Sequence, residues 1–254
     1  MKLRCVIHAL CLLLVCTAAQ AEPTEITVHV KAKGSKFIGS SMGGARVLIM
    51  DAMTGRILDE GRTSGGTGDT ERIMKTPLRS TQPLSDGKAA QYTVTIDLQR
   101  PTLLKVEAFG PLSQLQSAHT ASATQWVIPG KHITGGDAFL LVLPGMVVDI
   151  LEPAASSSLE LGSSIDIEAN IVMGCGCPIA PGGLWDASAM EIKGIVSRGN
   201  ERVGGFDLTY AGRMSRFQGK LEVSEPGVYE ALVYVYDPKN GNTGLDRTTF
   251  TLGK

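Results

Sequence analysis

The residues with the clearest chemistry lie between Ser164 and Trp185, in the stretch SIDIEANIVMGCGCPIAPGGLW. Met173, Cys175 and Cys177 recur at every second position, and Pro178 follows at once. Two thiolates and a thioether suit a soft ion, most naturally Cu(I). Zinc favours four ligands, and the histidines beyond the first 21 residues, His29, His119 and His132, all lie in the first half of the chain. The same two cysteines could instead bond to each other. In a flat strand, residues i and i+2 are roughly 6.6 Å apart at Cα, near the outer limit for such a bridge. The segment must then buckle at Gly176, which has no side chain to oppose the bend. A bridge closed in that way would be strained and easily reduced. Three readings stay open: a soft-metal site, a thiol–disulfide exchange pair, and an inert disulfide or idle thiol pair.

The elements that position this row are strands. Ile165, Ile167, Ala169, Ile171 and Met173 alternate with Asp166, Glu168 and Asn170, the pattern of a half-buried antiparallel strand. Extending the period puts Cys175 and Cys177 on the side of Met173, beside a loop that Trp185 closes. Pro178 favours extended backbone at Cys177. Similar alternating runs cover 25–32, 45–50, 91–98, 103–108, 124–128 and 139–143. In the second half they cover 190–197, 206–210, 217–223, 227–236 and 247–252. With 30 Gly and 12 Pro and no long helical period, the chain reads as all-β, two tandem antiparallel β-sandwiches.

The first 21 residues read as a signal peptide. Lys2 and Arg4 precede an apolar run from Val6 to Cys16, and Ala19-Gln20-Ala21 is a small-residue cleavage site. The run is too short to span a membrane. Leu13-Leu14-Val15-Cys16 departs from a lipoprotein site at the bulky Val15. The expected address is periplasmic or secreted, with the chain starting near Glu22 and no later membrane span. Cys5, Cys11 and Cys16 leave with the leader, so Cys175 and Cys177 sit in an oxidising compartment. The formal charge of −1 offers no basic stripe for nucleic acid.

Residues 44–68, GARVLIMDAMTGRILDEGRTSGGTG, resemble the repeated phrase of carboxypeptidase-regulatory-like and transthyretin-like β-sandwiches. The shared features are a Gly-Ala entry, an alternating strand, an Asp-x-x-Thr-Gly hairpin and a Gly-x-Thr exit. The Gly65–Gly68 insertion departs from that pattern. In the second half, Glu225-Pro-Gly-Val-Tyr229 resembles the tyrosine corner of immunoglobulin-like domains, and Asn240-Gly241 signals a hairpin. The usual inter-sheet cysteine pair is missing, since 229–236 contains no Cys. These resemblances imply a carboxypeptidase-regulatory-like sandwich over 22–148 and an immunoglobulin-like one over 149–254. Each is long enough to bury a core unaided.

Other motifs carry less. Gly39-Ser-Ser-Met-Gly43 matches G-x-S-x-G, but a hydrolase elbow needs strand, turn and helix, and a strand is expected at 45–50. Gly65-Gly-Thr-Gly-Asp69 could cradle an anion, but neither a following helix nor a Walker lysine is expected. The oxygen ligands of 237–246 lack calcium-loop spacing and fit a hairpin. Trp126 and Trp185 are core or interface residues. The function expected is an exported, non-catalytic binding protein with a copper site at Met173, Cys175 and Cys177. The alternatives are a structural adaptor for an envelope protein or surface polymer, and a thiol–disulfide exchange partner.

Overall fold

The alternating runs become strands, seen in a computed structural model that describes residues 21–77, 79, 82–162 and 164–253. The leader, with Cys5, Cys11 and Cys16, lies outside the described residues. The first half contains β1 (Glu22–Ala32), β2 (Arg46–Asp51), β3 (Ile57–Arg62), the one-turn helix α1 (Thr70–Met74), β4 (Gln91–Leu98), β5 (Thr102–Gly110), β6 (His119–Val127) and β7 (Phe139–Leu143). The second contains β8 (Met146–Glu152), β9 (Ser157–Leu159), β10 (Ile165–Met173), β11 (Glu191–Arg198), β12 (Glu201–Asp207), β13 (Thr209–Tyr210), β14 (Arg216–Leu221), β15 (Gly227–Asp237) and β16 (Asn242–Leu252).

The fold is an all-β sandwich architecture. In the first half the sheets run β4-β1-β7 and β3-β2-β5-β6. Ile26, Val28 and Val30 of β1 share a core with Val47 and Ile49 of β2 and Leu104 and Val106 of β5. The other side of β1 is covered too. Thr27 and His29 are buried, and His29 Nδ1 lies 2.9 Å from the Ala90 carbonyl beside Phe37. In the second half the sheets run β13-β14-β10-β8 and β12-β11-β15-β16-β9. That is an immunoglobulin-like arrangement, with β10 and β15 in opposing sheets. Ile167, Ala169 and Ile171 meet Ala231, Val233 and Val235 in the core. Tyr229 Oη donates to the Glu225 carbonyl at 2.7 Å, which ties the connection into β15 back on itself.

Among the described residues no ladder joins a strand of one half to a strand of the other. The chain crosses between them at Pro144–Gly145, while Val148 sits inside β8 opposite Ile171. The joint is closed by side chains instead. Asn242, 1% exposed, accepts from Gly145 N–H at 2.7 Å and donates to the Gly145 and Lys33 carbonyls at 3.4 and 3.5 Å. Ser117 Oγ accepts from Val148 N–H at 3.4 Å, and Gln116 Nε2 donates to the Val148 carbonyl at 3.1 Å.

One local expectation is overturned. A helix does follow the Gly65–Gly68 loop. Asp69 caps it, its carboxylate accepting from Arg72 N–H at 2.7 Å. That N-terminal donor is therefore spent within the chain.

Candidate functional site: a sulfur hairpin at the joint

β10 buries alternate residues as far as Met173, and there the period ends. Gly176 N–H donates to the Met173 carbonyl at 2.7 Å, and Met173 N–H to the Cys177 carbonyl at 2.9 Å. Val172 bridges back to Pro178. Cys175 and Cys177 thus lie in a tight reverse turn and not on a continuing strand, which corrects the period-two extension. The turn needs Gly176 at φ +76°, a conformation that costs residues with a Cβ. The buckle brings the two Cα atoms to 5.4 Å, and a disulfide joins Cys175 to Cys177.

The hairpin tip points into the joint between the halves. Met173, Cys175 and Cys177 are all buried. Ser35, in the turn after β1 and 0% exposed, places Oγ 2.8 Å from Cys175 Sγ. Its neighbour Gly34 is gripped from the second half, the Trp185 indole N–H donating to the Gly34 carbonyl at 2.9 Å. Trp185 therefore closes the site by fixing the turn that carries Ser35. Asp186 braces the Trp185 loop by accepting from Gly182 and Ser188 N–H at 2.8 and 2.9 Å. These two donors hold its carboxyl below the usual carboxylate range.

Spacing misses both Ser35 and Met42. A Cβ built on Gly176 would fall 2.6 Å from Met42 Sδ, so a first-half thioether lies against the hairpin. Met42 belongs to the Gly39–Gly43 phrase, which forms a 3-10 turn at Ser40–Met42 leading into β2. This is not the strand–turn–helix of a hydrolase elbow. The only hint in the sequence was a buried-type residue bracketed by glycines. His119 and His132 stay exposed, and His132 Nδ1 accepts from Glu25 N–H at 3.0 Å. In 237–246, Asp237 accepts from Lys239 N–H and Asn240 Nδ2 at 2.9 and 2.8 Å, so its oxygens serve the hairpin.

Chemically, the bonded pair is a two-electron acceptor. As a dithiol, the same atoms fit a soft cation, with Met42 and Met173 as thioethers nearby. Among the described residues no group of three or more His, Cys, Asp or Glu gathers into a hard or borderline metal site.

No protein-family model matches the chain, and no curated protein does. The carboxypeptidase-regulatory-like resemblance of 44–68 therefore rests on its residues alone. Among solved structures, an engineered protein is 15% identical over 50% of this chain and 24% of its own, with a TM-score of 0.33. The fibronectin(III)-like modules of Clostridium thermocellum CbhA are 12% identical over 89% of this chain and 90% of theirs, at 0.30. The titin domains z1z2, solved in complex with telethonin, are 12% identical over 93% and 97%, at 0.25.

Proposed function

We propose that the chain is an exported, non-catalytic β-sandwich binding protein of the cell envelope that docks a protein partner on the outer face of β3-β2-β5-β6. The observation that carries this reading is Trp126, 59% exposed at the end of β6. The register sets Trp126 opposite Leu103 and Ile57 opposite Met50, all on the face turned away from the core. Ile57 extends the patch at 57% exposure. An apolar patch built around tryptophan is what protein partners use as an anchor, and export rests on the leader-like residues 1–21. A photo-crosslinking residue in place of Trp126 should capture one predominant envelope protein in the native compartment. That protein, once purified, should bind the wild type and lose at least tenfold in affinity for Trp126→Ala, with the unfolding midpoint unchanged. Capture of a surface polymer instead would move the reading to a polymer adaptor. Equal binding by Trp126→Ala would refute the face.

A second reading is favoured by Met42: the reduced protein holds a single Cu(I) at Met173, Cys175 and Cys177. A chelator-competition titration under anaerobic reducing conditions checks it. Cys175→Ser should remove most of the affinity, and Met173→Leu should weaken it less, a thioether being neutral and Leu conserving volume. Full copper affinity in the double Cys→Ser protein would end this reading.

A further inference from the structure

We infer that Cys175–Cys177 is a thiol-exchange disulfide of fixed polarity, in which Cys177 is the sulfur attacked and Cys175 the one that leaves, its charge received by the Ser35 hydroxyl. The inference rests neither on the Trp126 face nor on copper, although it would supply the dithiol that copper binding requires.

Two asymmetries carry it. The first is access. Cys177 is 7% exposed and Cys175 is 1% exposed, so Cys177 is the more open of the two to an incoming thiolate. The second is charge. Ser35 Oγ lies 2.8 Å from Cys175 Sγ. A disulfide sulfur is a weak acceptor, whereas a thiolate is a strong one. The Ser35 contact therefore tightens as the S–S bond breaks, the differential stabilisation that speeds a step. A leaving thiolate that is stabilised as it forms also departs faster. Ser35 is held for this role by the Trp185 indole on the Gly34 carbonyl, so Trp185 is a positioning residue. The backbone bonds between Met173 and Cys177 and between Gly176 and Met173 do not depend on the sulfurs. They keep the pair close after reduction, so the bridge can re-form.

The co-reactant is a dithiol, small or protein-borne. Its thiolate forms a bond to Cys177 Sγ as the Cys177–Cys175 bond breaks, releasing the Cys175 thiolate. The second thiol of the co-reactant then attacks its own mixed disulfide and frees Cys177. Two electrons pass to the protein, two protons end on Cys175 and Cys177, and the co-reactant leaves as its disulfide.

The test uses the oxidised protein from Glu22 onward. Excess glutathione is added, free thiols are alkylated on acid quench, and the adduct is mapped by fragment mass spectrometry. Glutathione should map to Cys177 and the alkyl group to Cys175. Dithiothreitol should reduce the folded wild type, and Ser35→Ala should slow this by about fivefold, the loss of a hydrogen bond to a developing thiolate. Trp185→Phe, which keeps the ring and removes the donor, should slow reduction in the same direction. If Ser35→Ala does not fold, the adduct map on unaltered protein still decides. An adduct at Cys175 overturns the inference. So does an unchanged rate in folded Ser35→Ala, or a disulfide that resists dithiothreitol until the protein unfolds.

Discussion

Where the second half begins can be tested by moving its start by three residues. A fragment beginning at Asp149 retains Asp149 to Glu152 of β8 and loses Met146, Val147 and Val148. Met146 and Val148 stand opposite Met173 and Ile171, the inward-facing residues of β10, and both are 0% exposed. Val147 alternates to the opposite face, opposite Val172, and does not meet the inward residues of β10. Full burial of an aliphatic side chain contributes about 1.5–3 kcal/mol, so the two together contribute roughly 3–6 kcal/mol. Domains of this size have about 5–15 kcal/mol in all. Removing the pair also uncovers Ile171 and Met173 on the edge of β10. The two fragments, 146–254 and 149–254, both lack the first half, so their difference isolates the start of β8. Urea unfolding followed by tryptophan fluorescence of Trp185 and far-UV dichroism should show a cooperative transition for 146–254. For 149–254 the midpoint should fall by roughly 2 M, or the transition should vanish. Indistinguishable midpoints would refute the reasoning, since they would mean that these buried residues contribute nothing to the isolated sandwich.

Two further outcomes follow from single positions. Gly176→Ala should destabilise the protein by roughly 1–2 kcal/mol for the left-handed backbone alone, and by more for the contact with Met42 Sδ. Gly55, at φ +72° with nothing within 4 Å of a built Cβ, is the control, and calorimetry should show a larger loss for Gly176→Ala than for Gly55→Ala. Asp149→Asn should change the pH dependence of stability. Burial, and then the neighbouring Asp246 carboxylate, push the Asp149 carboxyl above its usual range against the pull of Arg216. An acid with a raised folded pKa keeps its proton in the folded state where the unfolded chain has lost it, so stability falls as pH rises from the unfolded value through the folded one. Urea midpoints from about pH 3 to about pH 7 should show that part of the slope in the wild type and not in Asp149→Asn.

Much of the architecture is legible in the residues because period-two alternation is a local property. The run from Ile165 to Met173 says which side chains turn inward, and the structure buries them. Tyr229 carries its corner partner only four residues away, so that contact is legible as well. The soft-donor chemistry of the cysteine pair is likewise written in its types and spacing. What covers each face is not. Ser35 reaches Cys175 across 140 residues, and Trp185 reaches Gly34 across 151. Only the docking of the two halves brings them together. Docking also separates the two tryptophans, which composition cannot do: Trp185 is drawn into the joint, while Trp126 is left facing solvent. The buckle at Gly176 was legible only as one of two forms, strand or turn, for a related reason. A glycine permits a turn without requiring one, and the bent form is the one that packs against Met42 and Ser35. Sequence alone determined which residues alternate and what their atoms can do. Tertiary structure decided which of those atoms meet, because the contacts that choose between strand and turn, or between buried and exposed sulfur, come from segments far apart in the chain.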